Sequence, residues 1–250
     1  MPRELHLSAV IGMCLAWVTW GTLSAQEPSA SPLPEASAFD SPSVPEWKLV
    51  VSEAAQDQLR TAPREYVECE WRAPGQAPIR VAIKLKGAAG SYRDWDDRPG
   101  LTVNAAKFNS QHRVFGMKKF HLNNAVQDET YLSEWLGAEF FRAVDVEVPR
   151  VGHVRLWIND RDMGLYVLRE GFDSGFLRRR FGESKGRLYD GGFLQDIDSD
   201  LELDSGDADV PKSDLIALAT SCYARDFDDR QAAIAERLDI DGFLTFMAME

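Results

Sequence analysis

The sequence predicts an α+β chain: a mainly antiparallel β lobe with one long helix, then the start of a helical lobe. Three observations carry this. Tyr66–Trp71 and Ile79–Lys86 alternate apolar and polar side chains about an Ala73-Pro74-Gly75 turn, the signature of half-buried strands. Asp128–Ala143 repeats its apolar residues at helical spacing. After Glu170 the alternation gives way to a series of short helical segments.

The chain opens with an export signal, read over residues 1–25. Arg3 supplies the positive start, Leu7–Leu23 is an uncharged and mostly apolar run, and Ser24-Ala25 offers small residues for cleavage. Residues 26–45 are rich in Pro and Ser (Pro28, Pro32, Pro34, Pro42), carry few large apolar groups, and read as a disordered tether. Folded structure is expected from residue 46, as an α+β lobe over 46–170 and a helical lobe beginning at 171.

Strands are expected next at Leu101–Val103, after Arg98-Pro99-Gly100, and at Phe115–Leu122. In the helix that follows, Asp128 is the expected N-cap and Glu129 suits the first turn, with Tyr131, Leu132, Trp135, Leu136 and Ala143 forming an apolar face. A hairpin follows, with Val154, Leu156 and Ile158 alternating with polar or amphipathic neighbours and Gly164–Leu168 returning after an Asn159–Asp162 turn. Helices are then expected at Ser174–Phe181, Ser213–Ala224 and Arg230–Leu238, and from about Asp241. The last of these, Phe243–Glu250, is apolar and ends without a stop signal, so the reading is of the front portion of a longer protein.

Formal net charge is −12, which argues against a long polyanion such as DNA as a partner while leaving room for a local cationic pocket. Beyond Cys14 in the signal, Cys69 and Cys222 are either a disulfide or two separate thiols. The four histidines show no metal-ligand spacing, and no nucleophile elbow points to a hydrolase.

An ordered series of short stretches resembles the CotH kinase family. It comprises Phe115–Asn124, Asp128 with Leu132-Ser133-Glu134, Val148-Pro149-Arg150, Trp157–Asp160, Gly164–Glu170, Phe176–Gly182 and Leu188–Gly191, and it runs from about Arg80 to the end. The resemblance implies a protein-kinase-like fold that uses ATP and magnesium or manganese to phosphorylate Ser or Thr of exported proteins. It also implies that the catalytic aspartates lie beyond residue 250, so no residue here takes a catalytic role.

A kinase needs a loop over the phosphates, a lysine on a strand and a helix carboxylate to hold that lysine. Lys86-Gly87-Ala88-Ala89-Gly90-Ser91 is the candidate loop, although an ordinary strand-to-strand turn has the same composition. The candidate lysines are Lys84, Lys86, Lys118 and Lys119, with Lys86 and Lys119 leading. Basic residues often stand near position 104 in the family, where this chain has Asn104. On the helix, Glu139 falls near the middle of the apolar face and is the first candidate partner, with Glu134 the alternative from the family pattern. Glu170 follows the last strand, where a kinase hinge would meet adenine. The acidic run Asp196–Asp209 departs from a calcium loop at Leu201 and Asp207 and reads as a solvated loop, and Arg178-Arg179-Arg180 reads as a solvated basic face. The rival to the kinase reading is a noncatalytic extracellular module or degenerate pseudokinase.

Overall fold

The computed structural model describes residues 38–39, 42–182, 185–191, 195–206 and 212–250. The expected export signal, most of the Pro/Ser tether, and Asp207 and Asp209 of the acidic run lie outside the described residues. The fold is mixed α+β with a mostly antiparallel sheet, as the sequence implies, but the sheet is closed rather than open. Its strands are β1 (Glu46–Val50), β2 (Val67–Arg72), β3 (Ile79–Lys86), β4 (Gly100–Asn104), β5 (Lys119–Asn123), β6 (Val151–Ile158) and β7 (Arg161–Glu170). They run β1-β2-β3-β4-β5-β7-β6 around a barrel, closed by parallel pairing of β1 with β6. Closure removes the open edges that a seven-strand sheet would otherwise present.

Alternation fills the barrel. Leu49, Trp71, Val81, Ile83, Leu85, Leu101, Val103, Phe120 and Leu122 all point inward and are almost wholly buried. Trp47 is the centre of an aromatic cluster, stacked on Phe115 and edge-on to Trp71 and Phe120 at centroid distances of 5.4–5.6 Å. Phe115 is held there in the left-handed region (φ 47°) beside Gly116 (φ 78°). These two residues make the tight turn between the bridged Val114 and Met117. The expected strand over Phe115–Leu122 is therefore displaced, beginning only at Lys119, because a turn with two positive φ angles cannot extend a strand. Ala38 is buried and Phe39 packs on the core, so the end of the stretch expected as tether is part of the folded body.

Helix α1 (Glu53–Thr61) lies where only sheet was expected. It buries just Ala55 and Leu59, too few apolar positions to announce a helix, and is started by Ser52, whose side chain accepts from the Ala55 N–H. Helix α2 runs over Ser133–Ala143 rather than from Asp128. Tyr131 has φ 60°, which no helix accommodates, and Asp128 instead accepts from the N–H groups of Thr130 and Ser133 across the intervening turn.

The remaining elements are α3 (Ser174–Phe181), β8 (Leu188–Asp190), β9 (Glu202–Ser205), α4 (Ser213–Cys222), α5 (Phe227–Ala235) and α6 (Ile240–Met249). The β8–β9 hairpin was not expected, and it puts part of the acidic run into a strand. Cys69 is buried and Cys222 exposed, and both are free thiols. Among the described residues no helix is long and apolar enough to cross a membrane.

Candidate functional site

Strand residues that do not face the barrel interior must face outward, and on β3, β4, β5 and β7 most of these are polar. Register aligns four of them in one row: Lys84 opposite Thr102, Thr102 opposite His121, and His121 opposite Arg169. One step along the strands, Lys86 stands opposite Gly100. A Cβ on Gly100 would come within 3.3 Å of Lys86 Cγ, so the missing side chain is what lets the lysine stem lie across β4 toward β5.

There Lys86 Nζ donates to Asn123 Oδ1 at 2.5 Å, and Asn123 Nδ2 donates to both carboxylate oxygens of Glu134 at 2.7 Å. A strand lysine and a first-turn helix glutamate are thus joined through one asparagine. Lys86, Gly87, Ser91, Asn123, Glu134 and Arg169 line a cleft of about 500 Å³ between the sheet and the start of α2. Burial lowers the pKa of Lys86 from its ordinary value, the Glu134 charge opposes that shift, and Arg169 reinforces it.

His121 is pushed down to about 3 by burial and by its cationic neighbours Lys86, Arg169, Lys119 and Lys84, so the ring is neutral. Its Nδ1 lies 3.1 Å from Thr102 Oγ1. This half of the face opens into a second cavity of about 550 Å³, bounded across from the sheet by Tyr189, Glu202 and Asp204 of the β8–β9 hairpin. Arg169 lines both cavities and stacks on Phe172. Lys84, Lys86, Lys119 and Arg169 concentrate positive charge on one sheet face of a chain whose net charge is −12.

The sequence-derived candidates divide. Lys86, Gly87, Ser91 and Glu134 meet in the cleft. Gly90 backs onto Gln127, and the loop closes on itself: Ser91 Oγ accepts from the Ala88 N–H, and Ala88 O accepts from the N–H groups of Ser91 and Tyr92. The N–H groups of Ala88, Ser91 and Tyr92 are thus used within the loop itself. Lys119 lies in the second cavity and pairs with Asp204 at 3.1 Å.

Glu139 is brought to neither lysine. It pairs with Arg142 on its own helix, with both side chains about two-fifths exposed. The assumed inner face of α2 is the reason. Leu132, Trp135, Leu136 and Phe140 are exposed, while small Ala138 packs on Val151 and Val167 of the sheet. That rotates Glu134 inward. Glu170 does not present its carboxylate to the cleft either. It is buried, accepting from Arg150 Nη2 at 3.1 Å, from Arg179 Nε at 3.2 Å and from Arg179 Nη2.

Asn123, Thr102, His121 and Arg169 were not singled out from the sequence. Their signal was the polar half of the strand alternation, which marks a face without saying which strands lie side by side. The arrangement suits a polyphosphate: lysine and arginine above a floor opened by Gly100. It does not suit a divalent metal held by this chain alone. Both Glu134 oxygens are engaged by Asn123, and among the described residues no three His, Cys, Asp or Glu side chains gather to hold an ion.

Comparison with known proteins bears on the same region. The family described as CotH kinase protein matches residues 83–250. Over 143 residues the chain is 27% identical to the invasin CotH7 of Rhizopus delemar, an alignment covering 52% of this chain and 24% of that protein. The chain thus spans about a quarter of the length of that relative.

Proposed function

The chain belongs to the CotH kinase protein family, and from that premise we propose that it is the nucleotide-facing part of an exported protein kinase. In this reading the phosphates of ATP lie in the cleft over Gly100, and the γ-phosphoryl group passes to Ser or Thr of an exported protein. The observation that carries the reading is the Lys86–Asn123–Glu134 chain, a strand lysine held from a helix glutamate where phosphate charge would sit. Lys86 and Arg169 neutralise the phosphates, and Glu134 orients Lys86 through Asn123. When bound, the magnesium or manganese of the intact enzyme would offset charge on the transferring group. No aspartate described here is given the metal-holding or catalytic role in this reading. Export rests on the apolar run at Leu7–Leu23 and agrees with the description of the fungal relative as an invasin.

Calorimetric titration of the chain with a nonhydrolysable ATP analogue tests the reading. Saturable binding is expected. Lys86→Met should weaken it about tenfold or more, the scale of one charge-assisted hydrogen bond, and Glu134→Gln by less. Absence of binding, or unchanged affinity in Lys86→Met, would overturn the assignment. A noncatalytic binding module is the second reading, favoured by one feature: Lys86 reaches an amide oxygen of Asn123 rather than the Glu134 carboxylate itself.

A further inference from the structure

We propose that Arg98 and Asn124 are positioning residues of the cleft: they fix the 87–91 loop, the head of β4 and the start of α2 against one another, and so set where Lys86 and Glu134 meet. The assignment rests on the nucleotide reading of that cleft and adds what holds its parts in place. Asn124 is a buried polar side chain that follows Asn123 in the chain. Its Nδ2 donates to the carbonyls of Ser91 at 3.0 Å and Arg98 at 2.8 Å, so one amide ties the loop to the stretch that enters β4. Tyr166 Oη donates to the next carbonyl, that of Pro99, at 3.1 Å. Both carbonyls ahead of Gly100 are thereby held by side chains, which fixes the glycine that Lys86 crosses.

The side chain of Arg98 continues the link to the helix. Its guanidinium lies over the rings of Tyr131 and Tyr166, 5.4 and 5.1 Å from their centroids, and its Nη2 donates to the carbonyl of Leu165. Among the described residues it has no carboxylate partner, and its Nε is buried without a hydrogen bond. A cation without a carboxylate is costly in such a place, where an apolar side chain would fill the space at less cost. The ring faces are what offset the charge, and they do so only while both tyrosines keep their places.

Tyr131 is where this hold matters. It stands at φ 60° one residue before Leu132, the N-cap of α2, and a bulky residue keeps that conformation only when its surroundings impose it. Three contacts do so: Arg98 on the ring, His153 Nε2 donating to the Tyr131 carbonyl at 2.7 Å, and the Tyr131 N–H donating to Asp128 O at 3.1 Å. Helix α2 buries only Ala138, one turn beyond Glu134, so the place of its first turn depends on these anchors as well. Glu134 is the second residue of that turn.

The test reads Lys86 in the 250-residue chain without nucleotide, through the pH profile of its trace acylation followed by peptide mass spectrometry. Burial is the largest influence on Lys86 and lowers its pKa, and the charges acting on it are those of Glu134 and Arg169. In the parent its half-point should therefore lie below that of exposed Lys118. In Arg98→Met and in Asn124→Ala, water entering a loosened cleft should raise it by about half a pH unit or more, with Lys118 unmoved. The ATP analogue should bind Arg98→Met about fivefold more weakly, the scale of one cation–π contact. Tyr131→Leu should shift the Lys86 profile in the same way, whereas Tyr131→Phe keeps the ring face and should keep the parental profile. That pair decides the matter if the other two variants do not fold. An unchanged Lys86 profile in folded Arg98→Met, Asn124→Ala or Tyr131→Leu, whatever the loss of thermal stability, overturns the proposal and leaves a purely structural role. A parent chain that binds no ATP analogue overturns the nucleotide reading instead, since the titration reads the positioning of Lys86 without it.

Discussion

His121 offers a measurement whose size follows from its surroundings. Burial, with Lys86, Arg169, Lys119 and Lys84 on the same face, lowers its pKa from 6.5 to about 3. In the unfolded chain the ring regains its ordinary value. Between those two values the unfolded chain binds a proton that the folded chain refuses, so stability falls as pH drops below 6.5 and levels off near the folded pKa. The slope is about 1.4 kcal/mol per pH unit, which makes the loss about 2.5 kcal/mol on going from neutral pH to about pH 4.5. For a folded body of this size that is about 5–10 °C in Tm. His121→Asn keeps a polar atom for Thr102 Oγ1 and does not titrate. Thermal unfolding of both proteins at the two pH values should show the variant gaining about 5–10 °C on the parent at the lower pH. Carboxylate titrations are common to both proteins and cancel in the difference. An equal Tm gap at both pH values would refute the claim that the fold holds this ring neutral among cations.

Two further outcomes test the architecture. Glu170→Gln leaves Arg150 and Arg179 without their shared carboxylate and should cost about 3–5 kcal/mol, read from a urea midpoint. A loss below about 1 kcal/mol, the range of surface ion pairs, would mean the cluster is effectively solvated. Gly171→Ala would set a Cβ 2.7 Å from the Lys119 carbonyl oxygen, and Gly171 N donates to that same carbonyl at 3.0 Å. The backbone must shift, with an expected loss of about 1–3 kcal/mol, and unchanged stability would show this crossing to be loose.

Local pattern carried much of the fold. Alternation in Ile79–Lys86 and in the Val154–Leu168 hairpin reports which residues share a face, because side-chain direction in a strand has a period of two whatever the strand pairs with. Ser174–Phe181 was legible for a similar reason: Asp173 caps it and Gly182, at φ 73°, ends it, and both signals act within one turn. The α1 helix was not legible, since two buried residues make no periodic pattern. Nor was the inner face of α2, where small Ala138 seats against the sheet and larger apolar residues do not.

The candidate site divides in the same way. The sequence by itself determined that Lys86 and Glu134 were available, that Gly100 stood at the head of a strand, and that the family was that of CotH. Only the tertiary structure decided that Lys86 crosses Gly100 to Asn123, that Glu134 rather than Glu139 faces it, and that Glu170 is consumed by two arginines. It also closed the barrel by joining β1 to β6, more than a hundred residues apart in the chain. Register, closure and helix rotation depend on pairings between distant segments, and their energies come from total burial that no local window contains.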